Sequence, residues 1–200
     1  METTKNNITE LIFILDRSGS MSGKESDVVG GYNSFIDKQI EEHGETVVTT
    51  VLFNEHCKTL FNGVPAGKAK LVSEQYVANG TTALLDAIGN TIFDVSSRIA
   101  RTAEYLRPRN VIVIITTDGL ENASREFTNN KVKEMIEQQK NLLGWSFIFL
   151  GADIDAYAEA QKLSIAACDT IKYDSSKEIF SRAFSGKVYA RCSAKIDELL

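Results

Sequence analysis

Short apolar runs alternate with amphipathic stretches along almost the whole of this 200-residue chain. Runs over residues 8–15, 46–53, 57–62, 110–116, 145–151 and 170–173 predict six strands. Val111-Ile112-Val113-Ile114-Ile115 and Phe147-Ile148-Phe149-Leu150 are apolar at successive positions, so both faces of those strands are expected to be buried. That is the pattern of a parallel sheet covered by helices on both sides. Between the runs, Val28, Tyr32, Phe35, Ile36 and Ile40 follow helical spacing. So do Leu84, Ile88, Ile92, Val95 and Ile99, and then Val132, Met135, Ile136 and Leu143. Residues 156–163 and 176–184 predict two further helices, with another turn near Ile196.

One connection breaks this rhythm. Phe53-Asn54-Glu55-His56-Cys57 is too short for a parallel crossover and predicts a hairpin, which makes the third strand an antiparallel edge. The sequence has no internal repeat, low-complexity segment or Pro/Gly-rich linker, so residues 1–200 are expected to form one domain. The predicted fold is α/β: a Rossmann-like, doubly wound, mostly parallel six-stranded sheet with one antiparallel edge strand and helices on both faces. In such sheets, ligands bind beyond the carboxyl ends of the strands, where the strand order reverses.

Composition narrows the ligand more than the fold. With 22 Lys and Arg against 27 Asp and Glu, the net charge is −5. Affinity for phosphate backbones rests on clustered cations. The one basic concentration, Arg98, Arg101, Arg107 and Arg109, reads as a solvated helix end and loop, so no nucleic-acid partner is expected. Cys57, Cys168 and Cys192 are odd in number, widely spaced and without a C-x-x-C pattern, as suits free thiols in a reducing compartment. The first ten residues are polar with no signal core, and no apolar run approaches the ~20 residues of a membrane span. The expectation is a soluble, cytoplasmic protein without a membrane partner.

Three loops carry the candidate chemistry. Asp16-Arg17-Ser18-Gly19-Ser20-Met21 places a carboxylate and two hydroxyls at the carboxyl end of the first strand. Gly80-Thr81-Thr82-Ala83-Leu84 precedes the second helix, and Thr116-Thr117-Asp118-Gly119 leaves the fourth strand. The first and fourth strands are neighbours across the switch point in the common order, so the loops are expected to meet in one crevice. Several oxygens, little net protein charge and room for water suit a hard divalent cation.

Asp16-x-Ser18-x-Ser20, then Thr82, then Asp118-Gly119 resembles the metal-ion-dependent adhesion site of von Willebrand factor type A (vWA) domains. The wider stretches 15–21, 80–88 and 117–124 are similar to small stand-alone bacterial and phage members, and the resemblance covers nearly the whole chain. It implies Mg²⁺, or Mn²⁺ or Ca²⁺, bound directly by the Ser18 and Ser20 hydroxyls. Asp16 and Asp118 would hold the ion mainly through water, and Thr82 directly or through water. The open coordination position would take an Asp or Glu of a partner protein. Helix capping is the plain role of both Thr81 and Thr82. The family pattern puts the ligand immediately before the small residue and apolar pair that open the helix, which here is Thr82.

Neighbouring residues have simpler readings. Arg17 faces an acidic partner or solvent, and Asp86 suits the first turn of a helix. Glu121 and Asn122 are candidates for hydrogen bonds to metal-bound water, while Asp153 and Asp155 read as helix caps. Neither His43 nor His56 is spaced from a Ser or Cys in a way that suggests catalysis. G-x-x-x-x-G-K-[ST], H-E-x-x-H and a G-x-G-x-x-G after a strand are all absent from the sequence. Gly19-Ser20-Met21-Ser22-Gly23 has Met where a nucleophile elbow needs Ser. Haloacid-dehalogenase-like phosphatases also carry an Asp after the first strand, but their second Asp stands where this chain has Ser18. The expected role is a metal-dependent protein-interaction module, not an enzyme. The competing readings are a metal-assisted hydrolase and a structural domain with a vestigial metal site.

Overall fold

β1 (Thr9–Asp16) is buried at every position, and its alternate side chains feed two separate cores. Leu11, Phe13 and Leu15 enter one, and Ile12 and Ile14 the other. Such double burial belongs to a central strand, and the sheet order is β3-β2-β1-β4-β5-β6. The computed structural model describes residues 7–152, 154–173 and 180–197. The remaining strands are β2 (Thr46–Phe53), β3 (Cys57–Pro65), β4 (Asn110–Thr117), β5 (Ser146–Ala152) and β6 (Thr170–Tyr173). Every neighbouring pair is parallel except β2–β3, the antiparallel edge expected from the short Phe53–Cys57 connection. β3 outruns its predicted end. Asn62-Gly63 is not a strand terminus but part of a bulge, where Gly63 at φ 65° absorbs an extra residue between the Val48–Val64 and Thr50–Phe61 pairs.

The α-helices run in chain order from α1 (Glu25–Glu42) through α2 (Leu84–Arg101), α3 (Asn129–Leu143) and α4 (Ala156–Lys162) to α5 (Phe180–Arg182). α5 passes through a π-helical stretch, Ala183–Val188, into α6 (Tyr189–Asp197). α1 and this C-terminal helix cover one face of the sheet. There Phe13 meets Tyr32 and Phe35 edge-on, with ring centroids 5.0 and 5.4 Å apart, and Phe184 at 5.9 Å. α2, α3 and α4 cover the other face through Ile88, Ile92, Val132, Ile136 and Ala160. Each large apolar side chain so buried contributes roughly 1.5–3 kcal/mol relative to exposure, which fixes the sheet and thus the loops at its carboxyl edge.

Some expectations are corrected. Ile40 and Leu143, placed on helical stripes by spacing, are largely exposed. At the end of α1 the buried position belongs instead to Gln39, whose Nε2 donates to Thr46 Oγ1 at 3.2 Å. Of the helix expected over 176–184, residues 176–179 lie outside those described, and from Phe180 it does not stop at 184. Phe184, Val188, Cys192 and Ile196 repeat every four residues and are all buried, so one apolar stripe carries the helix on to Asp197. Cys57, Cys168 and Cys192 form no disulfide, and burial pushes the Cys192 thiol up to about 12. No helix of the described residues is long and apolar enough to cross a membrane.

Candidate metal centre

β1 and β4 lie side by side with Leu15 opposite Thr116, so their carboxyl ends bring Asp16 and Asp118 to the switch point of the sheet. Asp16 is fully buried. Its Oδ1 accepts from the Ser18 N–H at 2.7 Å and its Oδ2 from the Thr117 hydroxyl at 2.6 Å. Burial raises the Asp16 carboxyl above its usual range; the hydrogen bonds from Ser18 and Thr117 oppose that shift, and the charge of Asp118 adds to it. Ser18 Oγ lies 3.1 Å from Ser20 Oγ, and the Ser20 hydroxyl donates to Asp118 Oδ1 at 2.5 Å. The other Asp118 oxygen accepts from Lys24 Nζ at 2.7 Å.

Gly119 shows how tightly the third loop joins. A Cβ added there would stand 3.1 Å from Thr82 Oγ1, 3.4 Å from Ser20 Oγ and 4.0 Å from Ser18 Oγ. Three hydroxyls therefore surround one small space beside Asp118. Asp16, Ser18, Ser20, Thr82 and Asp118 all converge on this crevice. Thr81 does not join them: it is exposed, and its N–H donates to Glu55 Oε2 at 3.0 Å, whereas Thr82 is buried.

The loops are held by bonds that spacing alone did not reveal. The Gly19 N–H donates to the Gly80 carbonyl at 3.0 Å, a contact so close that a Cβ on Gly19 would lie 3.2 Å from the same oxygen. The Asn79 N–H donates to the Arg17 carbonyl at 2.9 Å, and the buried Tyr76 hydroxyl donates to the Asp16 carbonyl. Glu121, a candidate for metal-water contacts, gathers the N–H groups of Leu85, Ala123 and Ser124 at 2.7–2.9 Å. Asn122 Oδ1 accepts from the Thr82 N–H. Asp86, in the first turn of α2 as expected, accepts the N–H groups of Arg125, Glu126 and Phe127, pinning the loop after β4 to that turn. Asp155 caps α4 as expected, accepting from the Ala158 N–H at 3.2 Å, and Asp153 lies outside the described residues.

Lys24, Thr117 and Tyr76 are the residues that sequence reasoning missed. Thr117 carried a signal, since a hydroxyl directly before Asp118 at a strand end is placed to reach the neighbouring strand. Lys24 and Tyr76 sit in irregular turns, where periodicity gives no direction.

Two carboxylates and three hydroxyls around one space fit a hard divalent cation that retains water. Among the described residues no three His, Cys, Asp or Glu side chains group as a metal site, so an ion here would depend on the hydroxyls as much as on the carboxylates.

No protein-family model and no curated protein sequence matches the chain. Solved structures do. Proximal thread matrix protein 1 from the mussel byssus is similar over 92% of this chain and 46% of its own, with a TM-score of 0.70 and 15% identity. The vWF domain of the type V pili tip protein Mfa5 from Porphyromonas gingivalis is similar over 95% of both chains, with a TM-score of 0.67 and 10% identity. This chain has the von Willebrand factor type A fold. Manganese-loaded Plasmodium vivax TRAP protein is a third similar structure, over 88% of this chain and 72% of its own, with a TM-score of 0.60 and 15% identity. The chain spans less than half the length of the mussel protein, so this vWA fold is only one part of that molecule.

Proposed function

We propose that this vWA domain is a divalent-metal-dependent interaction module that binds an exposed Asp or Glu of a partner protein. The observation that carries the reading is the convergence of the Thr82, Ser20 and Ser18 hydroxyls around Gly119, next to Asp118 and the buried Asp16. Ser18 and Ser20 would hold Mg²⁺ or Mn²⁺ directly. Asp16, Asp118 and Thr82 would orient the ion's remaining water. The bound ion supplies an electrophilic open position that a carboxylate can take. With only two protein carboxylates nearby, an incoming third is favoured by charge, and by far more than in an exposed ion pair worth about 0–1 kcal/mol. The manganese-loaded TRAP structure, which has a similar fold, supports the same kind of occupancy here.

The reading assigns no catalysis. The Ser18 hydroxyl meets that of Ser20, and Ser20 donates to Asp118, so among the described residues neither serine hydroxyl is paired with an imidazole base. His43 meets Ser193 at the far end of α1.

Calorimetric titration with Mg²⁺ and Mn²⁺ tests the metal. Wild type should bind, and the Ser18→Ala/Ser20→Ala double variant should not; equal heats from both would overturn the proposal. Capture of the partner should require divalent metal and Asp16. A partner retained in EDTA and by Asp16→Ala would remove the metal bridge while leaving the fold intact.

A further inference from the structure

Lys24 stands at the turn into α1, four residues after Ser20, and its ammonium donates to Asp118 Oδ2 at 2.7 Å. The Asp118 side chain is 2% exposed and that of Lys24 27%, so the lysine lies over the outer side of a nearly buried carboxylate. Ser20 already holds the other Asp118 oxygen. Both oxygens of this candidate ligand are therefore engaged by groups of the chain itself. Lys24 therefore offsets part of the negative charge that Asp16 and Asp118 bring to the crevice.

We infer that Lys24 is an internal counter-cation that sets the metal affinity of the crevice by competing with the divalent ion for Asp118. The inference rests on the metal-centre reading and adds to it a residue outside the five-oxygen set. A divalent ion served by Asp118 meets like charge a few ångströms away unless the lysine side chain swings outward. Repulsion between an ammonium and a divalent ion at such distances is appreciable in water and larger near a protein surface. Lys24 is only a quarter exposed, yet long and flexible enough to reach solvent. Metal alone should bind weakly for this reason. The displaced ammonium would then stand at the crevice mouth, where a partner carboxylate arrives.

The test is calorimetric titration of Mn²⁺ into wild type, Lys24→Met and Lys24→Arg, with melting temperatures in EDTA confirming that each variant folds. Lys24→Met should bind Mn²⁺ about tenfold more tightly than wild type, and Lys24→Arg, which keeps the charge, within about threefold of it. Binding by both wild type and Lys24→Met with equal affinity overturns the competition while leaving the metal centre in place. Absence of binding by every variant overturns the metal centre and this inference together.

Discussion

Asn122 grips Thr82 by both of its backbone polar groups: Asn122 Oδ1 accepts the Thr82 N–H at 3.0 Å, and the Asn122 N–H donates to the Thr82 carbonyl at 3.0 Å. The loop after β4 thus sets the position of the hydroxyl offered from the loop before α2. Replacing Asn122 with Ala removes the side-chain bond and leaves the partly buried Thr82 N–H unsatisfied. The expected loss is about 1–2 kcal/mol of stability, or roughly 2–8 °C for a domain of this size. Metal affinity should also fall several-fold, because Thr82 is no longer fixed. Calorimetry and thermal melts check both, and an unchanged affinity would show that Thr82 is positioned without Asn122.

Gly119 offers a cleaner separation of binding from folding. Its φ is not among the positive values, so alanine meets no backbone strain there. The added methyl would project among the three hydroxyls, nearest Thr82 Oγ1. Gly119→Ala should therefore abolish the Mg²⁺-induced shift in melting temperature. In EDTA its stability should stay within about 1 kcal/mol of wild type, since alanine also restricts the unfolded chain. A full metal response in Gly119→Ala would mean that the ion sits elsewhere.

The sheet was legible because double-sided burial writes continuous apolar runs, as in Val111–Ile115, and because the three residues between Phe53 and Cys57 permit only a hairpin. The crevice was legible for a related reason: once β1 and β4 are neighbours, Asp16 and Asp118 have no other place to go. What escaped depends on side-chain reach, not on period. Arg98 read as a solvated helix residue, but it pairs with Glu10, a fully buried residue of β1. Lys24 reaches Asp118 across 94 positions of sequence, and Tyr76 reaches the Asp16 carbonyl from a connection with no regular period. Glu121 read as a candidate for hydrogen bonds to metal-bound water, and helix α2 and its own loop supply backbone N–H groups to it. Asp86 does stand in the first turn of α2 as expected, but its hold on the N–H groups of Arg125, Glu126 and Phe127 had no periodic signal.

Asp16 should be a liability when metal is withheld. Burial raises its pKa above the ordinary value of 3.8, so the folded protein holds that proton more tightly than the unfolded chain. The stability contributed by this group is then present in full below the unfolded value and is lost as pH rises through the folded one. Asp16→Asn removes the charge and can keep the network: Oδ1 still accepts from Ser18, while Nδ2 donates to Thr117 Oγ1, freeing the threonine proton for the Gly119 carbonyl 2.9 Å away. In EDTA at neutral pH the variant should be more stable than wild type by about 1 kcal/mol, or roughly 2–4 °C. Added Mg²⁺ should stabilise wild type and not the variant. Thermal melts across pH 4–7 in EDTA decide this; a variant less stable than wild type throughout would show that the ionised carboxylate is needed for folding.

The Glu10–Arg98 pair allows a control far from the crevice. Glu10 lies toward the opposite end of β1, about 20 Å from Asp16 at the usual strand rise, and its Oε1 accepts from both Arg98 Nη2 and Thr49 Oγ1. The two partners are unequally placed: the Glu10 side chain is wholly buried, while that of Arg98 is 26% exposed. Removing Arg98 strands a carboxylate with no route to water. Removing Glu10 strands a guanidinium that can turn outward. Arg98→Met should therefore destabilise the fold strongly, toward the 3–5 kcal/mol typical of a broken buried pair, and Glu10→Gln by distinctly less. The double variant should recover part of the Arg98→Met loss, because no charge remains buried. Urea unfolding of the three variants measures this order, and Mn²⁺ titration of Glu10→Gln should match wild type. If Glu10→Gln proved the more destabilising, the buried carboxylate would be held by Thr49 and the surrounding strand more than by Arg98.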